Sequence, residues 1–204
     1  MDSLITILVV AYKRYQHIPI MIHSFLTQTN QSWKMVILHD GPDSEHEKLV
    51  RPYVNDYPNI SYYQSEQRFN DWGHSLREWG IREHLDTPWA LITNDDNYYV
   101  PMFVDNCHQI IKKEPSVDFI MFDALMNTPI TNSLNPNHGY QTQFSFPKTS
   151  LIDMGSFIVK SDLLKKVGFQ SKVMAADGIL VETILKSYPD LELFKINQTL
   201  FVHN

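Results

Sequence analysis

Two adjacent carboxylates stand in the run Asn94-Asp95-Asp96-Asn97. Neighbouring carboxylates repel each other, so a cation or several hydrogen bonds must compensate for the repulsion when they are buried. Carboxylate oxygens are the ligands that Mg²⁺ and Mn²⁺ prefer, and such ions are typically held by one or two carboxylates plus the phosphates of a ligand. The run therefore predicts a metal-assisted phosphate site. Its plainer interpretation is a solvated turn, in which Asn and Asp are common.

Further charged residues could act on the same ligand. The carboxylate of Asp40, in Asp40-Gly41-Pro42, could accept hydrogen bonds from a base or a ribose, although the sequence is also that of an ordinary turn. Arg14 and Arg77 could meet phosphate, while a single arginine is more often a surface charge. Asp177 stands where a helix is expected to begin, so it is either a proton acceptor or a helix cap.

The elements that must position these residues alternate between strand and helix as far as Lys113, which predicts a parallel sheet covered by helices. Ligands bind beyond the carboxyl ends of parallel strands, and Arg14, Asp40 and Asp95 each follow such a strand. We therefore expect the three to line one edge of the sheet. The predicted strands are Leu4–Val10, Met35–Leu38, Ile60–Tyr63 and Trp89–Ile92, and the predicted helices are 18–26, Ser44–Asn55 with Ser44 as its cap, Trp72–Leu85 and Pro101–Lys113.

The second half of the chain is less regular. A fifth strand is predicted at Val117–Phe122, and Met126–Ser150 shows no apolar period, so an irregular segment that covers a ligand is expected there. Order resumes at Ile152–Val159, and the remaining predicted elements are a short helix from Ser161, a helix after Asp177 and a strand over Leu191–Val202. We predict one domain over 1–204, in which the regular half ends near Lys113.

Composition narrows the class of protein. The 204 residues carry 17 Lys and Arg against 23 Asp and Glu, a net charge of −6, which argues against a nucleic-acid partner. The one cysteine, Cys107, cannot form an intramolecular disulfide and suggests a reducing compartment. No apolar run approaches the ~20 residues of a membrane span, and no signal peptide is evident. We therefore expect a soluble cytoplasmic protein.

Several short motifs, in order along nearly the whole chain, resemble those of glycosyltransferase family 2. That resemblance implies the GT-A fold, a Rossmann-like and mostly parallel α/β sheet flanked by helices, and an inverting enzyme that uses a nucleotide-sugar. The departures from the pattern are His39 and Asn94, where the family often has aspartate, and Ala176, where it has glutamate. The motifs are Ile7–Arg14, Ser24–Thr29, Val36–Gly41, Leu91–Pro101 and Ala176–Gly178.

The resemblance also implies roles for individual residues. Asp40 matches the aspartate that contacts uracil, which makes a UDP-sugar the favoured donor, and Asp95 matches the residue near the ribose. Asp96 matches the ligand of a Mn²⁺ or Mg²⁺ that bridges the diphosphate, and His203 is a weaker candidate for the same metal. Asp177 matches the catalytic base that acts on a carbohydrate acceptor. The implied nucleotide-binding set is Ala11, Tyr12, Arg14, Asp40, Arg77 and Asp95. The resemblance further implies a nucleotide-binding half at 1–113 and an acceptor-binding half at 114–204.

Two other functions remain open from the sequence. The substituted motifs are compatible with a noncatalytic relative that binds a nucleotide or a sugar without transferring it. A dinucleotide-dependent oxidoreductase would have a similar sheet, but the Gly-x-Gly-x-x-Gly fingerprint is missing after the first strand, where Ala11-Tyr12-Lys13-Arg14 stands. Binding of UDP-sugars without transfer or hydrolysis would identify the noncatalytic relative.

Overall fold

The computed structural model describes residues 4–129 and 138–204, in which a nine-stranded sheet is flanked by six α-helices. The strands lie side by side in the order β3-β2-β1-β4-β8-β6-β9-β5, and β7 pairs with β6 outside this path. The strands are β1 (Ile5–Ala11), β2 (Trp33–His39), β3 (Ile60–Gln64), β4 (Trp89–Asn94), β5 (Tyr98–Tyr99), β6 (Phe119–Pro129), β7 (His138–Gln143), β8 (Phe157–Lys160) and β9 (Leu193–His203). The helices are α1 (Ile18–Leu26), α2 (Ser44–Asp56), α3 (His74–Glu83), α4 (Phe103–Lys113), α5 (Ser161–Val167) and α6 (Ala176–Ser187), with a 3₁₀ turn at Met154–Ser156.

The predicted parallel sheet is confirmed. β1 pairs in parallel with β2 on one side and β4 on the other, so that Ile7 stands opposite Met35 and Leu91. Every residue of β1 is buried, as expected of an apolar β-branched strand that is covered on both faces. β6 and β9 also run in this direction, which makes the sheet mostly parallel, and β5, β7 and β8 run against it.

Alternate residues of β1 enter two separate cores, because successive side chains of a strand point to opposite faces. Ile7 and Val9 pack with residues of α1, α2 and α4 on one face of the sheet. Leu8 and Val10 pack with residues of α3, α5 and α6 on the other face. The helices on both faces leave the ends of the strands free to form a site.

The prediction that 126–150 is an irregular segment is wrong in part. β6 continues to Pro129, and β7 at His138–Gln143 pairs with it as an antiparallel hairpin; the stretch 130–137 lies outside the described residues. Among the described strands β7 pairs with β6 and no other, and its sequence His-Gly-Tyr-Gln-Thr-Gln is mostly polar. Such an edge strand buries little, so its sequence lacks the apolar alternation that identifies a strand.

The cap of α2 and the first residue of α3 also differ from the prediction. Asp43, rather than Ser44, caps α2, and its Oδ1 accepts the backbone N–H groups of Glu45 and His46 at 3.0 and 2.9 Å. α3 begins at His74, after Gly73 in the left-handed conformation (φ 80°), so Trp72 precedes the helix. Within the part of the chain that the structure describes, no helix is both long enough and apolar enough to cross a membrane.

Candidate active site

The polar turns after β1, β2 and β4 meet at one edge of the sheet, as their positions in the sequence predicted. They line a cavity of about 780 Å³, which is closed on its other side by residues near α3, α6 and the end of β9. A cavity of this size suits a ligand of several hundred daltons. Its charged lining consists of Arg14, Asp40, Arg68, Arg77, Asp95, Asp153 and Asp177, with His74 and His203 beside them.

The acidic turn after β4 is neutralised by Arg14. The guanidinium forms an ion pair with Asp96 Oδ2 and approaches Asp95 Oδ1 to 3.8 Å, and the backbone N–H of Tyr12 donates to Asp95 Oδ2 at 3.1 Å. Burial raises the pKa of Asp95 to about 7, against the opposing effects of Arg14 and the Tyr12 amide. The two carboxylates are therefore buried beside a compensating cation. This rules out the interpretation of Asn94–Asn97 as a solvated turn.

One carboxylate oxygen of this turn has no hydrogen-bond partner in the described part of the chain. Asp96 Oδ1 is buried and accepts no hydrogen bond from a described residue, while the backbone carbonyl of Asp96 accepts one from Asn204 Nδ2 at 2.9 Å. Among residues 4–129 and 138–204, no group of three or more His, Cys, Asp or Glu side chains could enclose a metal ion. A divalent ion can also be held by one or two carboxylates together with the phosphates of its ligand, and a free oxygen of Asp96 fits that arrangement.

Asp40 holds a loop that lines the cavity through Arg68 and Asn70. Its two oxygens accept the backbone N–H groups of Phe69 at 2.7 Å and Asn70 at 3.1 Å. Arg68, in the same loop, lays its guanidinium over the ring of Tyr12, with 4.0 Å between the guanidinium carbon and the ring centroid. Each Asp40 oxygen retains a lone pair after these bonds, so the carboxylate can still accept a hydrogen bond from a ligand.

His39, which precedes Asp40, is a structural residue of the β2 turn. Its Nε2 accepts the backbone N–H of Lys13 at 3.3 Å, and its Nδ1 lies 2.7 Å from the carbonyl of Gly41. An imidazole that accepts at one nitrogen and donates at the other is neutral. His39 therefore joins the turns after β1 and β2. An aspartate in its place would put a carboxylate, which can only accept hydrogen bonds, next to the Gly41 carbonyl, which is also an acceptor.

Arg77 lines the cavity and is only 4% exposed. Its Nη2 donates to Asn94 Oδ1 and its Nη1 to the carbonyl of Trp72, both at 2.8 Å, and its Nε has no hydrogen-bond partner among the described residues. Within the described residues no carboxylate forms an ion pair with it. A buried guanidinium whose hydrogen bonds go to neutral groups keeps a positive charge available for an anionic ligand.

Asp177, the second residue of α6, lines the same cavity beside Asp153, a carboxylate that the sequence did not single out. The adjacent N–H groups of one 3₁₀ turn hold the pair: Met154 N–H donates to Asp177 Oδ2 at 3.3 Å, and Gly155 N–H donates to Asp153 Oδ1 at 2.8 Å. Burial, followed by the charge of Asp153, raises the pKa of Asp177 to about 6, although Arg77 acts in the opposite direction. Asp177 is therefore a carboxylate poised to accept a proton near neutral pH.

His203 also reaches the cavity, and its Nδ1 lies 3.8 Å from Asp153 Oδ2. The structure thus brings Ala11, Tyr12, Arg14, Asp40, Arg77, Asp95, Asp177 and His203 to one cavity, with Asp96 paired to Arg14 next to it. Sequence reasoning missed Arg68 and Asp153. Only the second carried a signal, as an isolated acid within the apolar stretch 151–159.

A profile of the family "Glycosyl transferase family 2" matches residues 6–168. An uncharacterized glycosyltransferase of Haemophilus influenzae is 22% identical over 97% of this chain and 67% of its own length. Among solved structures, Staphylococcus aureus TarS (residues 1–349) superposes over 99% of this chain with a TM-score of 0.76 at 15% identity. The mannosyltransferase PcManGT of Pyrobaculum calidifontis, in complex with GDP-Man and Mn²⁺, gives 0.72 over 99% of this chain at 14% identity.

This chain spans about 60% of the TarS chain and 57% of the PcManGT chain. At these identities the two structures bear on the fold alone, which is that of the GT-A glycosyltransferases. The profile, by contrast, covers most of the sequence and includes the turns that carry Arg14, Asp40, Asp95 and Asp96. On that evidence the chain belongs to glycosyl transferase family 2.

Proposed function

We propose that this domain transfers a sugar from a nucleotide-sugar, with UDP as the favoured nucleotide, to a hydroxyl group of a carbohydrate acceptor, with inversion at the anomeric carbon. One observation carries the proposal: a single cavity joins a buried acidic turn to a buried carboxylate with raised pKa, and a buried arginine lies between them. A diphosphate ester with an adjacent nucleophile needs such an arrangement of anion-binding, cationic and basic groups.

The donor class is supported by the neighbouring structures. TarS has been solved with UDP and with UDP-GlcNAc, and PcManGT with GDP-Man and Mn²⁺. All of these ligands contain a nucleoside diphosphate, and TarS and PcManGT share the fold of this chain. In this chain Tyr12, Arg14, Asp40, Arg77 and Asp95 line one cavity, so groups that suit a base, a ribose and phosphates surround the space for a single ligand.

Asp96 is the residue proposed to hold a divalent ion, Mn²⁺ or Mg²⁺, through its unpartnered Oδ1. When bound, such an ion supplies Lewis-acid stabilisation of the negative charge on the departing diphosphate. Arg14 already lies against Asp95 and Asp96, so its guanidinium can move to the same phosphates.

Asp177 is proposed to take the proton of the acceptor hydroxyl. As that oxygen bonds to the anomeric carbon, the bond from this carbon to the phosphate oxygen breaks, and its electron pair leaves with the nucleoside diphosphate. Attack on the face opposite the leaving group inverts the anomeric configuration. A hydroxyl is a weak nucleophile near neutral pH, so the reaction needs a base that takes its proton. A carboxylate whose pKa is about 6 is mostly ionised at pH 7 and is therefore ready to accept that proton.

A screen of nucleotide-sugars with and without Mn²⁺ tests the proposal. UDP-sugars should raise the melting temperature, since a ligand at 100 times its dissociation constant adds about 2.7 kcal/mol of stability. Asp96→Ala should abolish the part of UDP binding that depends on Mn²⁺ while the fold remains intact. Full Mn²⁺-dependent affinity in that variant would refute the role of Asp96. Binding without sugar transfer or donor hydrolysis would identify the noncatalytic alternative.

A further inference from the structure

The Arg14 side chain contacts two buried carboxylates but is itself half in solvent. Its guanidinium forms an ion pair with Asp96 Oδ2 and lies 3.8 Å from Asp95 Oδ1. The side chains of Asp95 and Asp96 are 3% and 8% exposed, whereas that of Arg14 is 45% exposed. Exposed side chains change rotamer rapidly, so the guanidinium can move to another anion while the packing beneath the turn stays as it is.

The ion pair places a positive charge beside the oxygen proposed to hold a divalent ion. Asp96 Oδ1, the second oxygen of the same carboxylate, is buried and has no hydrogen-bond partner among the described residues. A divalent ion bound there would share one carboxylate with the Arg14 guanidinium. Because like charges a few ångströms apart in a buried site repel each other strongly, Arg14 in this position lowers the affinity of Asp96 for the ion.

A diphosphate offers Arg14 a different partner. Arg14 lines the same cavity as Asp95, and a planar guanidinium pairs with phosphate oxygens through two parallel hydrogen bonds. Arg77 also lines this cavity, but its guanidinium is buried and donates to Asn94 and to the Trp72 carbonyl, so it is fixed. Of these two arginines, Arg14 is therefore the one that can exchange a carboxylate for a phosphate.

We propose that Arg14 is an exchangeable counterion that makes the binding of a divalent ion depend on the binding of a nucleoside diphosphate. Arg14 compensates the acidic turn until a diphosphate enters the cavity. Its guanidinium then pairs with the phosphates and leaves Asp96 to the divalent ion. This inference rests on the proposed function, with Asp96 as the metal ligand, and adds the residue that couples the two ligands. The chain is thus expected to bind Mn²⁺ weakly alone and tightly together with UDP.

Two affinities of the whole chain test the proposal. The affinity for Mn²⁺ alone is measured from the electron paramagnetic resonance signal of free Mn²⁺, and the affinity for UDP in saturating Mn²⁺ is measured by titration calorimetry. Arg14→Ala should bind Mn²⁺ alone about tenfold more tightly and UDP about tenfold more weakly, since couplings between two sites are typically about 5–150-fold. These opposite signs distinguish exchange from a fixed counterion, whose loss would not weaken UDP binding.

Two further variants separate charge from geometry. Arg14→Lys keeps the charge beside the acidic turn but lacks the planar group that pairs with phosphate, so its affinity for Mn²⁺ alone should stay near the wild-type value while UDP affinity falls. Because the turn stays compensated, this variant also decides the matter if Arg14→Ala does not fold. Arg51→Ala removes an arginine of similar exposure (49%) that pairs with Glu47 on α2, and it should change neither affinity.

Several results would overturn the exchange. Unchanged affinity of Arg14→Ala for Mn²⁺ alone, or wild-type UDP affinity in Arg14→Ala or Arg14→Lys, would do so while leaving nucleotide-sugar use intact. Weakening of both affinities in Arg14→Ala would mean that Arg14 only maintains the turn. UDP binding by the wild type that does not depend on Mn²⁺ would overturn both the exchange and the metal role of Asp96. A wild type that binds no UDP would also overturn the proposed choice of nucleotide.

Discussion

Replacing Asp177 with asparagine should make the protein more stable at neutral pH and at the same time remove its activity. Burial and the charge of Asp153 raise the pKa of Asp177 from 3.8 to about 6. A group whose pKa is raised in the folded state adds stability only when protonated; this contribution is complete below pH 3.8 and is lost as the pH rises through 6. Above pH 7 the ionised carboxylate therefore works against folding.

The size of this effect follows from the two pKa values. A difference of about 2 between the folded and unfolded pKa corresponds to about 3 kcal/mol, which is the upper limit for what asparagine can recover. In a domain of this length, 1 kcal/mol shifts the melting temperature by about 2–4 °C, so the gain is at most about 6–12 °C. Asparagine retains an oxygen for the Met154 N–H, so the start of α6 keeps this bond.

Melting curves of wild type and Asp177→Asn between pH 4 and pH 8 measure the prediction. The variant should melt higher at pH 8, and the difference should disappear towards pH 4, where the wild-type carboxyl is protonated. Transfer should fall by about 10²-fold or more, because asparagine cannot accept the proton, while UDP affinity should stay the same. Asp162→Asn is the matched control: Asp162 is likewise the second residue of its helix, α5, but is exposed, so neither quantity should change much.

Two results would refute this reasoning. If Asp177→Asn melts below the wild type at pH 8, the ionised carboxylate is a stabilising helix cap rather than a buried base. If the difference in melting temperature is the same at pH 4 and pH 8, the effect does not come from ionisation. Near-normal sugar transfer by the variant would independently remove Asp177 from the chemistry.

The remaining predictions concern the end of the chain and the core beneath the site. Deleting His203–Asn204 should weaken Mn²⁺-dependent UDP binding, measured by calorimetry, because this segment contacts Asp96; unchanged affinity would exclude a role in metal binding. Gly80→Ala should lower the free energy of unfolding in urea by about 1–3 kcal/mol, since its Cβ would lie 2.5 Å from both δ-carbons of Leu8; a neutral result would mean that the core can repack. Tyr99→Phe should cost about 1–3 kcal/mol in the same assay by leaving the buried Gly155 carbonyl without its donor, and an unchanged unfolding curve would contradict this.

Most of the first half of the fold could be predicted because β1, β2 and β4 are buried on both faces and consist of apolar runs. The position of a strand end then fixes where the next residues go, which is why Arg14, Asp40 and Asp95 were placed at one edge correctly. β7 could not be predicted in this way, since a polar strand at the edge of a sheet needs no apolar face.

The candidate site was predictable only where a residue follows a strand or begins a helix. Asp153 and Arg68 reach the cavity through tertiary contacts: one is held by the turn that also holds Asp177, and the other by a loop bonded to Asp40. The pairing of Arg14 with the acidic turn is equally nonlocal, because it joins residues about eighty positions apart. No periodicity or motif in a single sequence records such contacts.

The direction of β9 has a practical consequence for handling the protein. β9 runs parallel to β6, so its last residues emerge at the edge of the sheet that carries the cavity, where Asn204 contacts the Asp96 carbonyl and the Tyr140 hydroxyl. A purification tag or fluorescent label fused after Asn204 would place its first residues at the mouth of this cavity. β1 begins at the opposite edge, where the Leu4 N–H donates to the Ser32 carbonyl. Affinity resins, dyes and immobilisation linkers should therefore be attached at the amino-terminal end, which keeps the cavity accessible.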